Sequence, residues 1–358
     1  MIRLRGGEDL TGMAIAVRTS PLVTVSGQVI SNVPMPTRAG PRGNVITASV
    51  ALTLVPHDRN AFETTSARTA GSANMDTPTN GQFQIAGIPP GSYDLIARAA
   101  NPNPNVDPTG NAPPEPNYYF GRTPLEAGFQ DLSGLSLTIK PGVALRAYVT
   151  VDGSASAAAG SVRLQLVSDD GARFLPQYTN ARGQLLAGAD GSITVPFVNE
   201  GRYRLQVNIN PGRGNRVNAY VEDIRADGLS VYDNGLQVGK EPPRQIEVIV
   251  KTNGGTVEGT VYDAGQQLKG GATVVLVPPD SRRQNPALYK AATTDLMGRF
   301  TIRAVAPGQY KVFAWESIPT GAYQNPGFVS KYEEQGRSIS VNPSSSTSAQ
   351  VTVIAAEK

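Results

Sequence analysis

Very few side chains in this sequence are suited to catalysis. The 358 residues contain one histidine and no cysteine. The histidine, His57, precedes Asp58, and a His-Asp pair is a component of catalytic triads. A triad also needs a nucleophile beside the histidine, and the sequence contains no Gly-x-Ser-x-Gly turn that would present a serine. We therefore predict that His57 is a solvated loop residue and that the chain is not an enzyme.

Metal binding would have to depend on oxygen ligands, which suit calcium better than a transition metal. The segment richest in such oxygens is residues 101–111, with four asparagines and one carboxylate, Asp107. It lacks the alternating acidic residues of a calcium loop. We expect a proline-stiffened surface loop there, with calcium binding as the alternative, and a hairpin turn at residues 169–171. No cofactor is expected.

The most distinctive candidate for a binding surface is an aromatic cluster near the C-terminus. Trp315 is the only tryptophan, and Tyr323, Phe328 and Tyr332 follow it closely. Asn325 before a proline is a typical helix start, so residues 326–334 are predicted to form a short helix that packs Phe328 and Tyr332 on the body of the protein. The alternative is a patch that contacts a sugar ring or a partner protein, because clustered aromatic side chains can do both.

Composition excludes other classes of partner. The formal net charge is only +3, and the basic residues are scattered, so nucleic acid is not an expected partner. No run of about 18 apolar residues could span a bilayer. The first ten residues contain no apolar segment of the kind found in signal peptides, so any export signal is expected upstream of this sequence.

One pattern occurs three times, about 110 residues apart, and it must position all of these side chains. Each copy begins with a glycine, alternates apolar and polar residues, and has a second glycine ten residues on and a tyrosine two residues later. The alternation is typical of a strand, and the second glycine follows a turn into the strand that carries the tyrosine. The copies are residues 81–93, 191–203 and 298–310, with tyrosines Tyr93, Tyr203 and Tyr310.

Further strands can be placed relative to this repeated pattern in each unit. Opening strands are predicted at residues 25–30, 145–150 and 257–262, and closing strands at 135–139, 246–250 and 351–354. Turn residues separate about seven short strands per unit, which favours a Greek-key β-sandwich of the immunoglobulin-like kind. We therefore predict an all-β chain of three tandem sandwich domains of about 110 residues each, at residues 22–141, 142–254 and 255–358.

An additional strand precedes the first unit. Residues 9–17 match the closing strand at residues 131–139 position by position, and Met13, Ile15 and Val17 form its apolar face. Residues 1–21 are therefore predicted to be the closing strand of a preceding repeat or a strand that docks on the sheet of a neighbouring subunit.

The pattern of the first and third units resembles the carboxypeptidase regulatory-like family, and the third unit is the closest match. The resemblance lies in residues 255–261, 271–278 and 294–316, and the middle unit departs from the pattern at Pro196 and Glu200. The resemblance implies a transthyretin-like (prealbumin-like) seven-stranded sandwich. It also implies an accessory or structural module without catalytic residues, of a kind found in tandem in bacterial surface and secreted proteins.

These observations predict a non-enzymatic, extracellular structural protein. The linkers between units are short, so tandem sandwiches should form a stiff rod suited to a cell-surface fibre or stalk. The expected partner is protein, through head-to-tail self-association or a longer chain of the same repeats. The alternative is a carbohydrate-binding or adhesion module of a larger secreted protein.

Overall fold

The structure is a computed structural model that describes ten segments of the chain. They are residues 21–35, 37–39, 45–47, 49–57, 68–74, 81–101, 118–152, 162–168, 185–209 and 218–356.

Nine strands of the described residues belong to the first sandwich: β1 (Val23–Ser31), β2 (Thr37–Ala39), β3 (Val45–Thr47), β4 (Ser49–Pro56), β5 (Arg68–Asn74), β6 (Gln82–Ile88), β7 (Gly91–Ala100), β8 (Tyr118–Ala127) and β9 (Leu132–Ile139). Seven of them form two sheets, in the orders β6-β1-β9 and β5-β4-β7-β8, while β2 pairs with β3 in a separate hairpin.

The second sandwich has nine strands in the described residues: β10 (Val143–Val151), β11 (Val162–Ser168), β12 (Leu185–Leu186), β13 (Ser192–Val198), β14 (Gly201–Ile209), β15 (Tyr220–Ala226), β16 (Leu229–Ser230), β17 (Leu236–Val238) and β18 (Ile246–Lys251). The sheet orders are β13-β10-β18-β15-β16 and β12-β11-β14-β17.

The third sandwich consists of seven strands: β19 (Gly255–Tyr262), β20 (Thr273–Val277), β21 (Lys290–Thr293), β22 (Arg299–Val305), β23 (Gly308–Trp315), β24 (Arg337–Val341) and β25 (Ser346–Thr352). Their orders are β22-β19-β25 and β21-β20-β23-β24. One short α-helix, α1 (Pro326–Val329), and 3-10 helices at Asp280–Arg282, Pro286–Leu288, Ala322–Gln324 and Ser330–Gln335 lie in its loops.

Each sandwich has a hydrophobic core between its two sheets. In the first, Val25 and Leu137 of one sheet meet Leu52 and Leu95 of the other, all at most 1% exposed. Equivalent clusters fill the second and third sandwiches. The predicted all-β chain of tandem sandwiches is therefore confirmed, while the domain boundaries at residues 21, 141 and 254 stay predictions.

The first and last strands of every sandwich run parallel to each other. β1 pairs in parallel with β9, β10 with β18, and β19 with β25. Two neighbouring parallel strands begin at the same end of a sheet and finish at the other. The chain therefore enters each sandwich at one end and leaves it at the opposite end, where the next sandwich begins.

The repeated turn has the same geometry in all three copies. Gly91, Gly201 and Gly308 have φ angles of 158°, 157° and 154°, a region that glycine adopts far more readily than other residues. Two residues later the tyrosine hydroxyl donates a hydrogen bond to the carbonyl oxygen four residues before it, at 2.9 to 3.0 Å. The predicted equivalence of Tyr93, Tyr203 and Tyr310 is confirmed.

The three tyrosines differ in burial. Tyr203 is fully buried and Tyr310 is 7% exposed, whereas Tyr93 is only half-buried. Tyr203→Phe should cost about 1 to 2 kcal/mol of unfolding free energy, because it removes the buried hydroxyl that donates to the carbonyl of Asn199. Tyr93→Phe should cost less than about 1 kcal/mol, since water can replace the lost partner. Scanning calorimetry of both variants checks this order, and equal losses would contradict it.

The second sandwich contains a hairpin that the sequence did not reveal. β15 pairs antiparallel with the outer edge of the closing strand β18, and β16 pairs with β15. Ile224 of β15 is 1% exposed and belongs to the core. This sandwich therefore has two strands beyond the seven-stranded pattern, and they cover an edge that its neighbours leave without a strand in the described residues.

Candidate interaction surfaces

The four aromatic residues singled out in the sequence lie together on the third sandwich. Phe313 and Trp315 project from the outer face of β23, away from the main core, and form a second cluster with Tyr323, Phe328 and Tyr332. The Trp315 ring stacks on Phe313 with 5.3 Å between centroids. It also lies 5.8 Å from Tyr332 and 6.2 Å from Phe328.

Burial decides what this cluster can do. Trp315 is 2% exposed, so its ring is not available as a platform for a sugar, and the binding alternative is wrong for this residue. Tyr323, Phe328 and Tyr332 are half-buried and pack against it. The predicted packing of Phe328 and Tyr332 is confirmed, and the contact of the three residues with a sugar or a partner stays a prediction.

The short helix over the cluster forms as its sequence predicts. Asn325 precedes α1, and its side-chain oxygen accepts a hydrogen bond from the backbone N–H of Gly327 at 2.9 Å. Pro326 takes the first helical position, where its missing N–H costs nothing. The α-helix ends at Val329 and continues as a 3-10 helix to Gln335, which places Tyr332 over the Trp315 ring.

A partly buried ion pair links this helical layer to the sandwich. The guanidinium of Arg283 donates to both carboxylate oxygens of Glu333, each at 3.0 Å, and is 8% exposed. Lys311 of β23 lies 2.6 Å from the same carboxylate. The hydrogen bond from Arg283 holds the pKa of Glu333 well below its usual range, at about 2. The sequence contained no signal for this pair, because its members are 50 residues apart.

This ion pair predicts a loss of stability in acid. A carboxyl group whose pKa is lower in the folded state stabilises that state above its unfolded pKa and stops doing so as the pH falls through the folded pKa. The contribution of Glu333 should therefore disappear between about pH 5 and about pH 2. Because Glu333 is 33% exposed, Glu333→Gln should cost about 2 kcal/mol at neutral pH rather than the larger cost of a fully buried pair.

Urea unfolding followed by the fluorescence of Trp315 measures this effect, because the only tryptophan lies in this cluster. Glu334→Gln changes an exposed neighbour and should cost less than about 0.5 kcal/mol. If both variants unfold at the same urea concentration as the parent chain, Glu333 has no such role.

The junction between the second and third sandwiches is held by several specific contacts. Asp233 accepts two hydrogen bonds from Arg282, at 2.8 and 3.0 Å. The buried amide of Asn285 donates to the carbonyl oxygen of Tyr232 at 3.0 Å. The side-chain amide of Asn218 donates to the hydroxyl of Thr256 at 3.4 Å. These contacts combine charge and geometry, so they fix how one sandwich sits on the next.

The junction between the first and second sandwiches is more open. Lys140 and Glu200 form an ion pair at 2.5 Å across it, and both side chains are more than a third exposed. Beside them lies a cleft of about 450 Å³ whose lining includes Asn32, Phe120 and Val198. An exposed ion pair contributes little stability, so the Lys140–Glu200 pair adds little to this junction.

His57 pairs with a partner that the sequence did not suggest. Its Nε2 lies 3.0 Å from the carboxylate of Asp94, on β7, and Arg122 of β8 binds the same oxygen at 2.5 Å. Burial raises the pKa of Asp94, but the hydrogen bonds and charges of Arg122 and His57 together outweigh burial, and the pKa is lowered. The nearby Ser92 hydroxyl donates to Glu126 at 2.5 Å. This arrangement is an ion-pair network on the sheet surface, and the side chain of His57 is 45% exposed as expected for a solvated residue.

Three of the sequence predictions fall on residues outside the described ranges. They are the strand at residues 9–17 with Met13, Ile15 and Val17, the calcium alternative for residues 101–111 beyond Asn101, and the turn at residues 169–171. Within the described ranges, no group of three or more histidine, aspartate or glutamate side chains could hold a metal ion. No helix in that part of the chain has the length and apolar character to cross a membrane.

Comparison of the sequence with protein-family models and with curated proteins finds no match. Among solved structures, the chain is similar to a streptococcal ancillary pilin, with 12% identity over 93% of this chain and 98% of that one and a TM-score of 0.25. BcpA, the major pilin subunit of Bacillus cereus, is 11% identical over 92% of this chain and 99% of its own, with a TM-score of 0.22.

A third similar structure is the Bacillus anthracis TIE protein. It is 10% identical over 93% of this chain, with a TM-score of 0.22, and the match covers 50% of its length, so this chain spans about half of that protein. Overall superposition is weak at these scores. We therefore base the functional proposal on the geometry of the chain itself.

Proposed function

We propose that this chain is a non-enzymatic, extracellular structural protein that acts as a rod-like building block of a bacterial cell-surface fibre or stalk. The observation that carries the proposal is the parallel pairing of the first and last strands in all three sandwiches. A chain that enters at one end of a module and leaves at the other extends by one module length per repeat.

The junctions support this function because they limit bending. The closing strand β18 ends at Lys251 and β19 begins at Gly255, so three residues separate the second and third sandwiches. β9 ends at Ile139 and β10 begins at Val143, which leaves three residues at the other junction. Linkers this short keep neighbouring modules in contact, and the ion pair Asp233–Arg282 and the buried amide of Asn285 add specific contacts at the second junction.

The finer assignments belong to the same proposal. Membership of the carboxypeptidase regulatory-like family is supported by the motifs at residues 255–261 and 294–316, and the three proposed domains are residues 22–141, 142–254 and 255–358. Residues 1–21 are assigned to a preceding repeat or to a neighbouring subunit. We retain adhesion as a second role only for Tyr323, Phe328 and Tyr332, which keep part of their surface in solvent.

Cell-surface exposure is the property that tests the proposed function. Intact cells of the organism that makes the chain should bind antibodies raised against the third sandwich and should release its fragments when treated briefly with a protease. A cytoplasmic protein measured in the same samples controls for lysis. Labelling that appears only after the cells are broken would contradict an extracellular role.

A further inference from the structure

In the second sandwich, the outer edge of the closing strand pairs with an additional strand. β15 lies antiparallel along β18, with pairs from Tyr220 opposite Lys251 to Ala226 opposite Ile246. Val221, Ile224 and Ala226 of β15 pack against the core of the second sandwich, and the exposed Glu222 lies at a bulge between the first two of them. An extended segment that turns apolar residues toward the sandwich therefore fits this edge and covers the side of the sandwich.

The same edge of the third sandwich carries no strand among the described residues. β25 pairs with β19 on its inner side only. Backbone bonds from Thr256 to the carbonyl of Ser345 and from Val353 to the carbonyl of Tyr262 show that odd-numbered residues bond to β19. Because successive residues of a strand alternate, the N–H and C=O groups of the even-numbered residues point to the outer edge. These residues are Ser346, Ser348, Gln350 and Thr352, all of which are exposed.

An arginine covers part of this edge. Arg337 of β24 donates to the carbonyl oxygen of Gln350 at 3.3 Å, and its side chain is exposed. Charged side chains commonly protect unpaired strand edges from unwanted association. A flexible arginine held by one long hydrogen bond can be displaced by a strand that makes several shorter ones.

We propose that the outer edge of β25 is a docking site for a second copy of this chain, and that residues 9–17 of that copy add to it as an antiparallel strand, as β15 does on β18. This inference rests on the proposed function and supplies the joint between building blocks. Met13, Ile15 and Val17 alternate with Ala14 and Ala16 and provide the apolar side that faces the sandwich.

Chain length requires the strand to come from another copy. Residue 17 is followed by only five residues before β1 begins at Val23, and five residues span at most about 18 Å. β25 lies in the third sandwich, beyond the full length of the second. The closing strands of the first and third sandwiches end alike, because Lys140 after β9 exchanges two backbone hydrogen bonds with Phe120, and Ile354 after β25 bonds to Ala314 and Glu316 at 2.7 and 2.9 Å. We assign the donor strand to β25 because this strand lies in the last sandwich, where a head-to-tail contact places the second copy.

Sedimentation velocity of the full chain over a wide concentration range tests the inference. The wild-type chain should associate as its concentration rises. Ser348→Pro should weaken association at least tenfold, because proline removes an outward N–H without breaking a bond to β19. Ser348→Ala keeps the N–H and should associate like the wild type. Hydrogen exchange should show that the amides of Ser346, Ser348, Gln350 and Thr352 become protected on association.

A second variant, in the donor strand, tests the inference independently of whether Ser348→Pro folds. Ile15→Asp places a charge on the apolar side of the donor strand and should also abolish association, whereas Ala14→Ser on the other side should not. Unchanged urea unfolding of Ser348→Pro, followed by Trp315 fluorescence, shows that the third sandwich is intact. A wild-type chain that stays monomeric at millimolar concentration, or association that survives both Ser348→Pro and Ile15→Asp, overturns the inference. An elongated monomer would then still support the proposed function, so the two failures are distinguishable.

Discussion

Gly259→Ala is expected to lower the unfolding free energy of the third sandwich by about 3 kcal/mol or more. Gly259 lies in β19 between the two strands of its sheet, and a β-carbon at this position would be 1.8 Å from the carbonyl oxygen of Ala349. Neither atom belongs to a flexible side chain, so the strands themselves would have to separate. The ring of Phe300 on the opposite strand fills the space beside the glycine.

Urea unfolding followed by Trp315 fluorescence measures this loss, and the midpoint should fall by about 1.5 to 2 M. Gly265→Ala is the matched control, because it adds the same methyl group in a loop of the same sandwich where only one atom, a carboxylate oxygen of Asp263, lies nearby at 3.3 Å. It should change the midpoint by less than about 0.3 M. Equal midpoints for the two variants would show that β19 and β25 are not packed this closely.

Trp315→Ala is expected to cost about 3 to 5 kcal/mol, because it leaves a cavity among Phe313, Phe328 and Tyr332 that these rings cannot fill by small movements. Scanning calorimetry measures the loss as a lower transition temperature for the third sandwich. A binding residue at the surface would give a different result, since its removal changes affinity and leaves stability nearly unchanged.

Trp315→Phe separates ring packing from the polar indole nitrogen. Within the described residues, Nε1 of Trp315 is buried and has no hydrogen-bond acceptor. Phenylalanine keeps most of the ring volume and removes this unpaired donor, so it should cost less than about 1.5 kcal/mol. If Trp315→Ala is as stable as Trp315→Phe, the cluster is not a packed core.

The repeated elements of the fold could be predicted because they depend on local sequence. A glycine is required where φ lies near 155°, and a tyrosine two residues later can reach back to the turn it follows. Both requirements recur at a fixed spacing, so three copies were recognisable without a structure. The helix start at Asn325 could also be predicted, because capping needs only a side-chain oxygen and a nearby backbone N–H.

The parts of the fold that were not predicted depend on contacts between residues far apart in the sequence. β15 and β16 were missed because the segment mixes charges with isolated apolar residues, and its place beside β18 is decided by an edge that other sandwiches leave without a strand in the described residues. The second hydrophobic cluster on the third sandwich could have been predicted from the sequence. Val274 to Val277 form an unbroken apolar run, whereas Arg163 and Gln165 interrupt the equivalent strand of the second sandwich, and an unbroken run indicates a strand buried on both faces.

The ion pairs were not predictable for the same reason. Arg283 and Glu333 lie in loops whose paths follow from the packing of Trp315, and His57 reaches Asp94 because β4 and β7 are neighbours in one sheet. In the sequence, the adjacent Asp58 suggested a His-Asp pair, and the pattern instead predicted a solvated loop residue without indicating Asp94. The fold determines which charged side chains form pairs. These pairs can therefore be identified only once the arrangement of the strands is known.

Small-angle X-ray scattering of the monomeric chain tests the central claim, that three sandwiches follow one another end to end. Nine-residue strands at about 3.3 Å per residue, with their turns, give modules about 40 Å long and a rod of about 120 Å. The radius of gyration should then be about 35 Å. A value near 21 Å, which is that of a compact chain of 358 residues, would contradict the claim.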